Sequence, residues 1–285
     1  GLARDEEKIT CDKLDLEPPA PGEGLQLTMG AYYPPYSETE VCKFIQVGPE
    51  GMNISSQNVR YSDGSHHMLI FSTSYTELPT VNKHGQIVDT ADGKVFACPE
   101  GPAPDWNLTG VIGGSQNPEW DPKPFPEGVA IVVPPNAWIV MNLHMLNPTP
   151  EGVNTCVKNN FTTIPTEEVE HEAGFLFWYN PFISVPAQGT SRSTLRCPII
   201  EDITVLNGQS HMHSRGSNYV AKLYNGEGEY VEDIYQSSDW ETPVPIDYEP
   251  ALQIPAGHSI EYTCEYTNNE ERTVNQGLKT TDEMC

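Results

Sequence analysis

Apolar residues in this chain recur with a period of two, and that alternation restricts its fold to β-sheets. Residues 258–266 show it most plainly. Ile260, Tyr262, Cys264 and Tyr266 fall on one side, and Ser259, Glu261, Thr263 and Glu265 on the other. Residues 138–145 repeat the pattern, with Trp138, Val140, Asn142 and His144 on one face and Ile139, Met141, Leu143 and Met145 on the other. Further strands are expected at residues 25–29, 41–47, 65–71, 129–133, 175–179, 193–197, 199–206, 219–224 and 230–235. No long stretch has a 3.6-residue period with helix caps. The 23 Gly and 26 Pro supply the turns that many short strands need. The natural reading is all-β, with two antiparallel β-sandwiches joined near residue 170. Residues 1–24 form an extended arm, 25–168 the first sandwich and 172–285 the second. The acidic segment 166–171 is the linker. Residues 75–128 are irregular and rich in Pro, Gly, Asp and Asn, so they need short strands of their own or a functional role.

Charge and cysteines narrow the setting. The net charge is −25, from 40 acidic and 15 basic residues, which excludes nucleic acid as a partner and favours a cationic or neutral substrate over an anionic one. The seven cysteines are widely spaced, with no Cys-x-x-Cys pair, and read as disulfides of an oxidising compartment. Sequons at Asn53, Asn107 and Asn160 agree with a secreted protein, extracellular or periplasmic. No apolar run approaches membrane-spanning length.

Five of the eight histidines occupy three strand-like places: His66 with His67, His144, and His211 with His213. In extended backbone His211 and His213 point to one face and suit one metal ion, although a pair of solvent-facing histidines reads equally well. His66 and His67 are adjacent, so a regular strand sends them to opposite faces. They share a metal only if the backbone bulges there or the rings grip through different nitrogens. Asp63-Gly64, just upstream, offers a place for such an irregularity. His84, His171 and His258 sit singly and read as surface residues.

Four stretches in chain order carry a resemblance: Ser65-His66-His67-Met68-Leu69, Leu143-His144-Met145-Leu146-Asn147-Pro148, His211-Met212-His213 and Thr281-Asp282-Glu283-Met284-Cys285. In them the chain resembles the copper type II, ascorbate-dependent monooxygenases, which include peptidylglycine α-hydroxylating and dopamine β-monooxygenases. The resemblance implies two jelly-roll-like domains with a copper site in each, facing an open cleft. It implies two coppers per chain, with ascorbate as reductant. His66, His67 and His144 would hold an electron-transfer copper. His211, His213 and Met284 would hold the copper that meets oxygen, the catalytic set. Imidazole suits both oxidation states of copper, and a thioether favours Cu(I). The resemblance also implies disulfides Cys264–Cys285 and Cys42–Cys156, with Cys11–Cys98 as the remaining pair. The family partner of Cys197 would fall beyond Cys285, so Cys197 is expected to be free or paired outside this chain.

The implied reaction inserts one atom of O₂ into a C–H bond of a small-molecule substrate and releases the other as water. Peptide-amidating members hold the substrate carboxylate with an arginine two residues before the His-x-His pair. Here that position is Gln209, a substrate-binding candidate of different chemistry, and the expected substrate is a small amine or aromatic rather than peptidylglycine. The alternative is a protein of the same fold that binds, stores or senses copper without turnover. A structural β-sandwich with incidental histidines is the third reading.

Overall fold

The computed structural model describes residues 9, 11–62, 65–91 and 93–285. Most of the beginning of the expected arm, residues 1–8 and 10, lies outside the described residues, as does Asp63-Gly64. The described chain consists of strands and turns, with no α-helix and one 3-10 turn at Thr166–Glu168. It divides into two compact units after Phe175. The first holds β1 (Gly24–Tyr33), β2 (Ser37–Gln46), β3 (Met52–Tyr61), β4 (Ser65–Thr73), β5 (Val95–Ala97), β6 (Leu108–Ser115), β7 (Glu119–Trp120), β8 (Val129–Val133), β9 (Trp138–Asn147), β10 (Val153–Thr163) and β11 (His171–Glu172). The second holds β12 (Ser184–Val185), β13 (Gly189–Pro198), β14 (Ile203–Gly208), β15 (Gly216–Tyr224), β16 (Tyr230–Ser237), β17 (Ile246–Ile254), β18 (Ser259–Asn268) and β19 (Val274–Asn275).

Two sheets build the first unit, in the orders β1-β10-β3-β8-β11, with β7 on β3, and β5-β2-β9-β4-β6. Pairing is antiparallel except for β11 on β8. Both sheets turn apolar residues into one core, with Leu27 and Met29 from β1, Met68 and Ile70 from β4, Ile139, Met141 and Leu143 from β9, and Phe161 from β10. Burying each such side chain contributes about 1.5–3 kcal/mol. β9 is central in its sheet and buried on both faces apart from Leu146. Its second face belongs to another apolar cluster, with Trp138 and Val140 packed among Phe44, Phe96 and Trp106. Trp106 meets Phe44 edge-on at 5.1 Å, and Phe96 stacks on Phe44 at 5.7 Å. Residues 75–128 therefore earn their length by supplying β5, β6, β7 and part of this second cluster. Further along the same face of β9 come Asn142 and His144, both buried. The alternation that buries Trp138 and Val140 thus carries His144 to that face as well.

The arm is tied to the first unit. Lys158 Nζ donates to the Leu14 carbonyl at 2.9 Å, and Asn160 Nδ2 to the Glu17 carbonyl at 2.6 Å. Gly30 gives the arm room, since a Cβ there would lie 2.8 Å from Ile9 Cγ2. The disulfides correct the expected pairing. Cys11 bonds Cys156, and Cys42 bonds Cys98. Cys42 and Cys156 belong to strands of different sheets, and their neighbours Val41 and Val157 face the shared core. With period two, Cys42 and Cys156 point away from that core on opposite sides, so they cannot meet. Cys156 points to where the arm crosses, and Cys42 to the cover that contains Cys98.

The acidic segment expected as a linker stays with the first unit, since β11 extends that sheet beside β8. The strand expected at residues 175–179 is not formed. Phe175, Leu176, Phe177 and Tyr179 are exposed and belong to none of the described strands. An aromatic run supplies a strand's composition, but composition alone does not fix strand geometry.

The second unit contains a four-stranded sheet, β13-β18-β15-β16, and the pairs β14-β17 and β12-β19. β18 buries Ile260, Tyr262, Cys264 and Tyr266, as the alternation predicts, against Met212, Leu223 and Ile254. Cys264 bonds Cys285, and Cys197 is free. No helix among the described residues is long and apolar enough to cross a membrane.

Candidate metal centres

The first centre lies where β4 meets β9. His67 stands directly opposite His144, and the register shifts between Ser65 and His67. That shift makes His66 the extra residue of a bulge, and a bulge re-aims side chains that a regular strand would send apart. His66, His67 and His144 come together, each offering a ring nitrogen within 4.8 Å of the others. Their ring centroids are 4.8–5.3 Å apart. His144 Nδ1 lies 3.1 Å from His67 Nε2. His144 Nε2 lies 3.1 Å from Glu38 Oε1, and the two side chains are 3% and 17% exposed. A proton on Nε2, shared with that carboxylate, would leave the lone pair of Nδ1 facing His67. Three convergent imidazoles with a carboxylate behind one of them fit a copper ion. Glu40, paired across the ladder with His144, is buried and accepts a hydrogen bond from Asn142 Nδ2 at 2.9 Å. Burial pushes its carboxyl above the usual range, against the pull of His144 and Asn142.

The second centre is not on a strand. His211-Met212-His213 lies in the connection between β14 and β15. Alternation still operates there: Met212 is fully buried in the core, and the two imidazoles stand together with centroids 5.3 Å apart. Gly216 lets the connection fold back, since a Cβ there would lie 2.7 Å from Met212 Cβ. His213 is buried, and its Nδ1 lies 3.2 Å from the Asp282 carbonyl. Donation from Nδ1 to that carbonyl leaves Nε2 as the lone-pair nitrogen. Met284 follows two residues after Asp282. Tyr266 Oη donates to the Met284 carbonyl at 3.1 Å, and the Cys285–Cys264 bond fixes the next residue to β18. The Asp282 contact sets the chain two residues before Met284 against His213, and two imidazoles with a thioether are a donor set suited to Cu(I). Gln209 is exposed, and its Nε2 donates to the Pro243 carbonyl at 2.8 Å.

Several partners of these groups escape sequence reasoning. Glu38 reaches His144 only through the β2–β9 register, and nothing in its neighbourhood marks it. Arg215 and Glu283 form a buried pair, with Arg215 Nη1 3.2 Å from Glu283 Oε1. Arg215 two residues after His213, and Glu283 next to Met284, were the available signal. The histidines outside these centres are separate from them. His84 faces Asp105 at 3.5 Å on an exposed turn, His171 is exposed in β11, and His258 is half-buried before β18.

Among solved structures, the chain has similarity to the PBSX exported protein XepA, at 8% identity over 85% of this chain and 86% of that one, with a TM-score of 0.19. It has similarity to the coconut allergen cocosin, at 10% identity over 88% and 79%, TM-score 0.19, and to recombinant pro-11S globulin of pumpkin, at 10% over 88% and 79%, TM-score 0.15. Likenesses at that level carry no argument. No curated protein matches the chain. Residues 177–285 match the family model of the copper type II ascorbate-dependent monooxygenase C-terminal domain. Over those residues the second unit is similar to the C-terminal domain of the copper type II ascorbate-dependent monooxygenases.

Proposed function

We propose that the protein is a secreted, copper-dependent monooxygenase that hydroxylates a C–H bond with O₂ and ascorbate. His66, His67 and His144 hold one copper, and His211, His213 and Met284 hold a second, in separate domains. The observation that carries this reading is the bulge at His66, which converges three imidazoles at a place where a regular strand would part them. The family match over residues 177–285 supports copper and ascorbate as its reagents. Copper, when bound, supplies the one-electron chemistry that makes O₂ reactive.

The chain's own groups do the rest. Glu38 orients His144 and sets its tautomer. The Asp282 carbonyl does the same for His213. Met284 contributes a soft ligand that favours the reduced metal. The overall change takes R–H, O₂, two electrons and two protons to R–OH and water, with ascorbate as electron source. A small amine or aromatic substrate fits the second domain better than peptidylglycine. Gln209 offers no charge for a substrate carboxylate, and Arg215, close by in sequence, is engaged by Glu270 and Glu283. The net charge of −25 also favours a cation.

Oxygen consumption by the copper-loaded protein with ascorbate, over a panel of amines and C-terminal glycine peptides, tests the reading. Substrate-dependent uptake that is strongest with an amine or aromatic compound supports it. Full copper loading with no substrate-dependent uptake would favour a copper-storage or sensing protein.

A further inference from the structure

This inference rests on the proposed ligand role of Met284. That residue lies in a segment with little strand structure of its own, residues 276–285, yet its sulfur must keep a fixed position relative to His211 and His213. One buried charge pair joins the two parts. The Glu283 side chain is 0% exposed and that of Arg215 10%. Glu283 Oε1 accepts hydrogen bonds from the Arg215 backbone N–H at 2.9 Å and from Nη1 at 3.2 Å. Nη1 also donates to the Asp282 carbonyl at 3.4 Å. The opposite side of the guanidinium, Nη2, pairs with Glu270, whose other oxygen accepts from Arg272 Nε at 2.8 Å. Arg272 Nη2 then returns to the Thr281 carbonyl at 2.5 Å. The Arg215 carbonyl accepts from the Thr267 N–H at 2.9 Å, which anchors the residue to the end of β18.

A buried ion pair stabilises a fold little better than a well-packed apolar pair of similar volume. What it adds is fixed geometry, because a guanidinium donates in set directions. We propose that Arg215 and Glu283 are positioning residues that clamp the Met284 segment onto the His211–His213 connection, and so set the thioether's place in the copper ligand set. Neither residue needs to touch the metal.

The test reads copper ligation rather than turnover. Cu(I)-loaded wild type, Met284→Ile, Glu283→Gln, Glu283→Ala and the apolar double variant Arg215→Met/Glu283→Leu are compared by X-ray absorption and by Cu(I) competition. Glu283→Ala should weaken the copper–sulfur contribution and lower Cu(I) affinity of that site about ten- to a hundredfold, as loss of a ligand's outer partner does. Glu283→Gln keeps an acceptor for both Arg215 donors and should retain most of the sulfur signal. Copper at His66, His67 and His144 should remain bound in every variant. If Glu283→Ala fails to fold, the double variant restores packing without the directional grip and should still lose the sulfur signal. A folded Glu283→Ala or double variant with wild-type sulfur contribution and affinity overturns the clamp. A copper–sulfur signal that persists in Met284→Ile overturns the ligand reading beneath it.

Discussion

Cutting the Cys264–Cys285 bond should destabilise the second unit by about 3 kcal/mol without releasing its C-terminal segment. The two cysteines are 21 residues apart, and the chain-entropy relation for a loop of that size gives roughly 11 cal/mol/K, or about 3 kcal/mol at 25 °C. For a unit of this size that is a fall in melting temperature of about 12 °C. The segment has other anchors. The Asn180 N–H donates to the Cys285 carbonyl at 2.7 Å, Gly277 N–H to the Glu283 carbonyl at 3.0 Å, and Glu283 N–H to the Asn275 carbonyl at 3.0 Å. At about 1 kcal/mol net each, these hold the segment in the folded state once the disulfide is gone. Calorimetry of copper-free wild type and the Cys264→Ala/Cys285→Ala variant measures the shift, and hydrogen exchange at Asn180 and Glu283 reports whether the segment stays down. A shift below about 3 °C would refute the loop-closure reasoning. Loss of protection at both amides with the core intact would refute the claim that backbone bonds hold the segment.

Trp106→Ala should cost the first unit about 3–5 kcal/mol in urea unfolding, because the side chain is 1% exposed against Phe44 and Phe96. A cost below about 1 kcal/mol would mean that this second cluster contributes little. Glu40 has a raised pKa from burial, so its folded form binds a proton more tightly than its unfolded form. Stability of the copper-free protein should therefore fall as pH rises from the ordinary glutamate range through the raised value. Glu40→Gln should flatten that fall, leaving the part due to Glu283, whose carboxyl burial also raises; an unchanged slope would contradict this. Expressed in a host that modifies Asn-x-Ser/Thr, the protein should carry glycan at Asn107, which is exposed. Asn53 Nδ2 is engaged with the Ile164 carbonyl and Thr166 Oγ1, and Asn160 Nδ2 with the Glu17 carbonyl, so peptide mapping should find both bare.

What the sequence revealed depended on how each feature is encoded. β9 and β18 were legible because their buried faces are apolar at every second residue. β3, β10 and β17 gave no comparable signal. β10 buries Asn159 and Asn160 as well as Phe161, and Asn160 satisfies its amide against Gln26 and the arm. A strand that buries asparagines beside its apolar residues has no local alternation to read. The histidine positions were legible as motifs, and the need for a bulge followed from placing His66 beside His67. The Cys264–Cys285 pair implied by the resemblance is formed, but the partners of the first unit's four cysteines were not legible, since they depend on which sheet each cysteine leaves and on which side. Glu38 and the Arg215–Glu283 pair stayed hidden for a related reason: strand register and loop packing bring them to the histidines, and neither is written in local sequence.

The central claim is a hydroxylation in which one atom of O₂ enters the product. Product mass spectrometry with ¹⁸O₂, copper and ascorbate, over a panel of small amines and aromatic compounds, measures it directly. One ¹⁸O is expected in the hydroxylated product, and none when the label is supplied as H₂¹⁸O. Product oxygen drawn from water, or no hydroxylated product across the panel from protein loaded with copper at both centres, would contradict it.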